Sequence, residues 1–410
     1  MDHFETNLEK YAELVVKVAL NIQEGQKLYI NASIENADFV QSITRKAYRA
    51  GAKKVYPNLY DPMIRRITYE EAPKDGLAEF PQWRIDCFNE LIDEGGAFLE
   101  VAALDPELLK GVDADRISIA RKAEAKAKTR FQKAQTNGDI SWSIVSVPSK
   151  NWAAKIFPDV PTKQQTDALW EQIFYTTRVD QDDPVAAWEK HIDKLTEKAN
   201  YLNEKRFKAL HYKAEGTNLT IQLADDHVWR AASFETKKGN RFLPNVPTEE
   251  VFTMPHKDGV NGTVSSTKPL NYQGSLIENF TLTFKNGEVV DFKAEKGEES
   301  LKNILEADEG SKRLGEVALV PHDSPISNSG LIFFNTLFDE NASCHIALGR
   351  ALLLNMKDAE AKSDEEMAAK GFNSSIMHVD FMIGSAELDI DGETFDGERV
   401  PVFRKGNWAF

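Results

Sequence analysis

Residues 27–61 read KLYINASIENADFVQSITRKAYRAGAKKVYPNLYD, and this stretch decides the fold of the first part of the chain. Lys27–Ser33 and Lys53–Asp61 are short runs rich in residues that favour strands. Glu35–Ala50 lies between them with helical spacing and ends at Gly51, a residue that often follows a helix. A strand, a helix and a second strand in this order are typical of an open α/β domain with a mainly parallel sheet.

The same alternation continues toward the middle of the chain. Residues 97–104 (AFLEVAAL) and 140–148 (ISWSIVSVP) are predicted strands, and Asp113–Gln135 is a predicted helix rich in Ala, Lys, Arg and Glu. A helical stretch at Pro184–Phe207 is predicted to connect this part to the next. We therefore expect an N-terminal α/β domain over residues 1–190.

The pattern changes in the second half of the chain. Residues 280–297 (FTLTFKNGEVVDFKAEKG) alternate strictly about Asn286-Gly287, which is a strong signal for a β-hairpin. Helices are predicted at Glu298–Ala307 and around Ser343–Leu354, and a turn is predicted at Asp391-Gly392. Residues 191–410 are therefore predicted to form an α+β domain with mixed or antiparallel strands.

Composition excludes several classes of protein and of site. The chain has 410 residues, with 50 Lys and Arg against 65 Asp and Glu, for a net charge of −15. Such acidity argues against a nucleic-acid partner. Two cysteines exclude a disulfide framework and a cysteine-rich zinc site. No signal peptide and no membrane span are predicted, so the expected location is cytoplasmic and no membrane partner is expected.

Four polar clusters stand in apolar surroundings in the second half, while motifs such as H-E-x-x-H and G-x-S-x-G are absent. The first cluster is PTEEVFT (247–253), with the adjacent carboxylates Glu249 and Glu250. The second is GEVALVP (315–321), where Glu316 enters an apolar strand and needs a partner or a metal. Taken singly, the first can be a solvated turn and the second a strand edge that meets solvent.

The other two clusters add histidines. DENASCHIALG (339–349) contains Glu340 and His345, the latter expected in the first turns of a helix capped by Asn341 or Ser343. HVDFMIG (378–384) places His378 and Asp380 two residues apart on a predicted strand, so their side chains share a face. A lone histidine is more often structural, and Cys344 is interpreted as a buried apolar residue rather than a nucleophile.

The candidate ligands that the four clusters supply are four carboxylates and two imidazoles. This is the ligand mix of a hydrolase with paired divalent ions, in which one carboxylate bridges the metals. Nitrogen and oxygen donors in this ratio suit Zn, Mn or Co better than Ca or metals that seek thiolates. The candidate metal ligands are Glu250, Glu316, Glu340, His345, His378 and Asp380.

The four clusters also resemble, in order and over essentially the whole chain, the motifs of the M29 metallo-aminopeptidases. The resemblance implies an N-terminal α/β domain, a C-terminal domain characteristic of the family, a homodimer, and peptide substrates that lose their N-terminal residues. It implies two divalent metal ions per subunit (Zn, Co, Mn or Mg). It assigns Glu250, Glu316, His345, His378 and Asp380 as ligands, with Glu316 as the bridge and Glu340 as an additional ligand.

Two residues carry the mechanistic expectations. Glu249 is the candidate general base because it adjoins a ligand; the alternative is that it is merely an exposed neighbour. Leu352 occupies a position where the family often has a tyrosine thought to assist catalysis, and a leucine cannot donate a hydrogen bond. The expected function is a metal-dependent aminopeptidase. The alternative is a catalytically impaired metal-binding dimer that acts as a peptide-binding or scaffolding protein.

Overall fold

The structure is a computed structural model that describes residues 2–272 and 275–410. Its strands, in chain order, are β1 Lys27–Ser33, β2 Lys54–Tyr60, β3 Ala97–Ala102, β4 Ser141–Ser146, β5 Ala209–Ala214, β6 Thr217–Leu223, β7 Arg230–Ala231, β8 Phe234–Glu235, β9 Arg241–Phe242, β10 Asn245–Val246, β11 Val251–Thr253, β12 Pro255–Ser265, β13 Leu270–Tyr272, β14 Ser275–Lys285, β15 Glu288–Lys296, β16 Leu314–Leu319, β17 His345–Gly349, β18 His378–Met382, β19 Asp389–Glu393, β20 Arg399–Arg404 and β21 Asn407–Trp408.

The α-helices are α1 Asp2–Leu14, α2 Ala37–Arg49, α3 Pro62–Glu71, α4 Lys74–Leu77, α5 Gln82–Asp93, α6 Ala114–Ala127, α7 Thr129–Thr136, α8 Lys150–Ile156, α9 Thr162–Thr176, α10 Pro184–Lys205, α11 Glu298–Leu305, α12 Pro325–Asn328, α13 Thr336–Asp339 and α14 Asp364–Ala369. A π-helical turn spans Val15–Ala19. Short 3₁₀ turns span Ile34–Asn36, Glu309–Lys312, Glu340–Ala342, Leu353–Asn355 and Ala359–Ala361.

The chain divides into two compact units. The first contains Met1–His191 and Ser233–Pro247, and the second contains Ile192–Ala232 and Thr248–Phe410. The change of unit after His191 falls inside helix α10. In the described part of the chain, no helix combines the length and the apolar character needed to cross a membrane.

The first unit is built on a parallel sheet in the order β10-β4-β3-β1-β2. Strand β1 occupies the residues predicted from KLYINAS, with Leu28, Ile30 and Ala32 fully buried. Helix α2 packs through Phe39, Val40, Ile43 and Ala47, which recur at helical spacing. The predicted α/β fold of this part is confirmed.

One predicted helix of this unit is interrupted. The stretch Asp113–Gln135 forms two helices, α6 and α7, which separate at Lys128. The hydroxyl of Thr129 donates to the carbonyls of Ala125 and Lys126. Such side-chain to main-chain bonds compete with the helical pattern and accompany the break.

The second unit contains two antiparallel sheets. The larger runs β13-β14-β12-β6-β5-β19-β20-β21, with β15 also paired to β14. The predicted hairpin at Asn286-Gly287 is present between β14 and β15, with both residues at positive φ (51° and 81°). These are the backbone angles that a two-residue hairpin turn requires. The smaller sheet runs β18-β17-β16-β11-β7 and carries the polar clusters.

Two local predictions for this unit were wrong. The helix expected around Ser343–Leu354 is instead strand β17, whose five residues are all buried between β16 and β18. A short apolar run does not distinguish strand from helix, and pairing on both sides decides the outcome. Asp391-Gly392 is not a turn but lies within β19. A Cβ at Gly392 would come within 2.6 Å of the Phe207 ring, so this glycine permits close packing.

Candidate metal centre

The register of the smaller sheet collects the predicted side chains on one face. Glu316 of β16 lies opposite Ala347 of β17, and Ala347 lies opposite Asp380 of β18. His345 precedes Ala347 by two residues, so it projects on the same side. Residues directly opposite in a ladder also share a face. Glu316, His345 and Asp380 therefore surround a position at which the central strand offers only a methyl group.

The second histidine joins the same face through a glycine. His378 lies opposite Gly349, which has a positive φ of 101°. A Cβ at Gly349 would approach the carbonyl oxygen of Met377 to 2.3 Å, so the close approach of the two strands requires glycine. The HIALG stretch thus supplies one histidine and two small residues that leave room for the side chains of its neighbours.

The first group of potential ligands contains Glu250, Glu316 and His345. Glu250 comes immediately before β11, the strand next to β16. Its Oε2 lies 3.2 Å from Nε2 of His345, and Oε1 of Glu316 lies 3.7 Å from the same nitrogen. One ligand atom from each residue falls within 4.8 Å of the others. His345 is 1 % exposed, so this group is largely screened from solvent.

The second group contains Glu316, His378 and Asp380 and meets the same distance limit. Nε2 of His378 lies 3.5 Å from Oε2 of Glu316 and 3.5 Å from Oδ1 of Asp380. Glu316 therefore belongs to both groups and directs a different oxygen to each. This is the arrangement expected of a carboxylate that bridges two cations.

Main-chain carbonyls orient both imidazoles. Nδ1 of His345 lies 3.1 Å from the carbonyl oxygen of Ser343, and Nδ1 of His378 lies 2.7 Å from that of Arg350. Each Nδ1–H can donate to its carbonyl, which leaves Nε2 to face the carboxylates. A histidine that binds a metal characteristically donates its other ring N–H in this way.

The donor atoms fit divalent ions. Oδ1 of Asp380 is a buried carboxylate oxygen that makes no hydrogen bond within residues 2–272 and 275–410. Nε2 of His378 lies 3.5 Å from this oxygen, and buried polar atoms are nearly always satisfied, so the oxygen suits a ligand of a cation. The imidazole nitrogens and carboxylate oxygens of the two groups suit Zn, Mn or Co. The residues present therefore fit the metal ions that the sequence predicted.

The carboxylates shift the pKa values of both histidines upward. Burial alone would lower the pKa of His345, but its contacts with Glu250 and Glu316 raise it well above the usual value. Burial likewise opposes the charge on His378, yet Asp380 and Glu316 raise its pKa to about 10. Burial acts to raise the pKa of Asp380, but the charge and the contact of His378, together with the charge of His345, lower it. The cluster thus stabilises positive charge strongly.

Two other carboxyls of the centre have raised pKa values, in contrast to Asp380. Burial and the charge of Asp380 raise the pKa of Glu316, although the contact with His345 counteracts them. Burial and the charges of Asp380 and Glu250 raise the pKa of Glu340 well above its ordinary value. Glu340 lies in the 3₁₀ turn Glu340–Ala342 and belongs to neither ligand group. The structure thus brings five of the six predicted ligands into tight groups and places Glu340 within their electrostatic reach.

Glu249 is 2 % exposed, so it is a buried neighbour of Glu250 rather than an exposed one. Its main-chain N–H donates to Oδ1 of Asn341 at 2.7 Å. Sequence reasoning treated Asn341 only as a possible helix cap and missed this contact. The sequence signal that could have indicated a role for Asn341 in the centre is its position directly after the candidate ligand Glu340. Cys344 is also buried, which raises the pKa of its thiol to about 12 and disfavours the nucleophilic thiolate.

Comparison with known proteins identifies the family. The family model described as thermophilic metalloprotease (M29) matches residues 4–408. The chain belongs to the M29 metallopeptidase family. The resemblance predicted from the four clusters is therefore confirmed, and membership makes the protein a peptide hydrolase of the metalloprotease class with divalent-metal dependence.

Curated M29 relatives align over their whole length. The chain is 52 % identical to aminopeptidase 2 of Geobacillus stearothermophilus over 100 % of this chain and 99 % of that protein. It is 50 % identical to aminopeptidase AmpS of Bacillus subtilis, with 100 % of both chains covered. It is 46 % identical to aminopeptidase T of Thermus aquaticus, again over 100 % of both.

A solved M29 structure has the same fold. Wild-type AmpT from Thermus thermophilus matches with a TM-score of 0.93 and 43 % identity, over 99 % of this chain and 100 % of that one. The predicted combination of an α/β part and an α+β part is thereby confirmed.

Proposed function

We propose that this M29 protein is an aminopeptidase that releases N-terminal amino acids from peptides through two divalent metal ions per subunit. The observation that carries the proposal is the dual membership of Glu316, whose two oxygens face different ligand groups. We assign one ion to Glu250, Glu316 and His345, and the other to Glu316, His378 and Asp380. Glu340 is an additional ligand. All of these residues lie within the C-terminal domain predicted at residues 191–410.

The donor atoms narrow the choice of ions. Carboxylates and imidazoles accept Zn, Co, Mn or Mg, and the histidines favour the first three. When bound, such a pair of ions polarises the scissile carbonyl and lowers the pKa of water toward neutrality. The protein supplies the geometry, because strand register and two main-chain carbonyls fix the ligand atoms.

Glu249 is the proposed general base. Its side chain is attached directly beside Glu250, and its main chain is held by Asn341. Its carboxylate would accept a proton from the attacking water and deliver it to the nitrogen of the departing peptide. A positioned acid–base group of this kind typically contributes about 10²–10⁴ in rate.

Exopeptidase specificity is proposed to come from the free α-amine of the substrate. This amine would bind a metal ion or a nearby carboxylate of the centre. A neutral internal peptide bond offers no equivalent group, so cleavage is expected at the first residue.

Leu352 favours one alternative function. It is partly buried, three residues beyond Gly349, and its side chain offers no hydrogen-bond donor to an oxyanion. A chain with intact ligands but without that donor could serve as a catalytically impaired metal-binding dimer with a peptide-binding or scaffolding role. We also propose a homodimer, which rests on the family resemblance, and the cytoplasmic location predicted in the sequence analysis. Sedimentation analysis tests the dimer.

Hydrolysis assays distinguish the two functions. The purified protein is freed of metal, dialysed separately against Zn, Co, Mn and Mg, and assayed with leucyl and other aminoacyl chromogenic substrates. Metal-dependent turnover, with no cleavage of the same substrates blocked at the amino group, supports the aminopeptidase. Two bound ions with no turnover in any metal would support the alternative.

A further inference from the structure

We propose that Asn341 is a positioning residue that sets the geometry of Glu249 and Glu250, an inference that rests on the proposed function. Asn341 lies in the 3₁₀ turn Glu340–Ala342 and is fully buried. Its Oδ1 accepts the N–H of Glu249 at 2.7 Å, and its Nδ2 donates to the carbonyl of Leu337 at 3.0 Å. Only one orientation of the amide satisfies both partners.

The main chain around Glu249 depends on this side chain. Strand β11 begins at Val251, which pairs with Leu319 on one side and Ala231 on the other. Residues 248–250 precede the strand and are outside its ladder. A buried N–H without a ladder partner needs another acceptor, and at Glu249 the amide of Asn341 provides it.

The contact also joins two parts of the candidate metal centre. Asn341 directly follows Glu340, and strand β17 begins four residues later with His345. The same amide holds the segment that carries Glu249 and Glu250. The 3.2 Å approach of Glu250 Oε2 to His345 Nε2 therefore depends on a side-chain to main-chain bond between segments that are distant in sequence.

Asn341 acts through other residues and not by direct contact with ligands. Both polar ends of its side chain are engaged by main-chain atoms, and none of its surface is exposed to a substrate. Substitution of a residue that orients metal ligands typically costs about 10- to 100-fold in metal affinity or activity. We expect a loss in that range when Asn341 is replaced.

The test compares two variants with a matched control. N341L is close in size and removes both hydrogen bonds, whereas N341A removes them without a branched side chain and serves if N341L does not fold. Asn203 also makes two main-chain bonds, accepting from the N–H of Trp229 at 2.8 Å and donating to its carbonyl at 2.9 Å. N203L therefore removes an equivalent pair of bonds in the same unit.

The primary readout is the Kd for Co²⁺, measured on metal-free protein by competition with a chromogenic chelator. We expect about 10- to 100-fold weaker binding for N341L and N341A, and wild-type binding for N203L. With saturating metal, kcat of the N341 variants is expected to fall by a larger factor than the factor by which KM changes. Wild-type Co²⁺ affinity in either folded N341 variant would overturn the proposal. An equal loss of Co²⁺ affinity in N203L would also overturn it, because general destabilisation of the unit would then explain the weaker binding.

The metal titration requires no substrate, so its result is independent of the hydrolysis assay. A wild-type protein that fails to hydrolyse any aminoacyl substrate would overturn the proposed function. The Kd comparison between N341A and N203L would still decide whether Asn341 positions the ligands.

Discussion

Nε2 of His345 lies 3.7 Å from Oε1 of Glu316, while the other oxygen of that carboxylate lies 3.5 Å from Nε2 of His378. One buried side chain thus connects the two ligand groups. A glutamine at this position keeps one oxygen but replaces the other with an N–H₂ donor, which cannot bind a cation.

The variant E316Q is therefore expected to bind fewer metal ions and to lose hydrolysis. Elemental analysis after dialysis against Zn or Co should give about one ion or fewer per chain, against two in the wild type, as expected when a bridge is removed. The matched control is E278Q, which breaks an ion pair with Lys296 (2.6 Å) elsewhere in the same unit. Two ions in E316Q would contradict the bridging role.

Replacement of the candidate base should separate chemistry from metal binding. E249Q keeps the size and main-chain position of Glu249 but removes its ability to accept a proton. We expect kcat to fall about 10²–10⁴-fold with KM and metal content close to wild type, since Glu249 belongs to neither ligand group. The measurement is steady-state kinetics on metal-loaded protein. Wild-type kcat in E249Q would show that another group moves the proton.

Leu352 offers a gain-of-function prediction. L352Y introduces a phenolic donor at a position three residues beyond Gly349, and a single oxyanion donor is typically worth about 10²–10³ in rate. We expect kcat to rise by up to that amount with metal affinity unchanged. The control is L353Y, because Leu353 is adjacent but 51 % exposed. Equal kcat values for L352Y, L353Y and wild type would contradict this prediction and would mean that another group already donates a hydrogen bond to the oxyanion.

Asp308 is expected to anchor the loop that leads into His378. Its carboxylate accepts from the N–H of Ile376 at 2.6 Å, the hydroxyl of Ser375 at 2.7 Å and the N–H of Ser311 at 2.8 Å. Burial opposes its ionisation, but these hydrogen bonds lower the pKa of Asp308 below the ordinary value of 3.8. D308N is expected to lower the free energy of unfolding by about 1 kcal/mol at neutral pH.

The stabilisation that Asp308 provides is expected to depend on pH. A lowered pKa in the folded state contributes stability above pH 3.8 that is lost as the pH falls through the lowered value. The difference between wild type and D308N, measured by denaturant unfolding of metal-free protein, should therefore shrink below about pH 3.8. A difference that is constant with pH would contradict the charge-assisted role. The control is D113N, because Oδ1 of Asp113 also accepts a main-chain N–H, that of Asp115 at 2.9 Å.

The sequence predicted most of the fold and of the candidate centre for identifiable reasons. KLYINAS and the Asn286-Gly287 hairpin follow local rules, so their positions agree with the structure. His378 and Asp380 share a face because strand geometry has a period of two. These are properties of short segments, and one sequence suffices to recognise them.

The remaining features depend on contacts between distant segments. HIALG is short and apolar, and only pairing with both neighbours makes it a strand instead of a helix. In the sequence, Asp391-Gly392 has the pattern of a turn. Only the structure shows that Gly392 is required because the Phe207 ring packs against it. The bond from Glu249 to Asn341 spans 92 residues, so no local pattern reveals it.

The most direct test of the central claim is to follow leucyl-substrate hydrolysis while metal-free protein is titrated with Co²⁺ and the bound metal is quantified. The proposed dinuclear aminopeptidase predicts that activity rises with bound metal and reaches a plateau at two ions per chain. A plateau at one ion, or no hydrolysis with two ions bound, would contradict it.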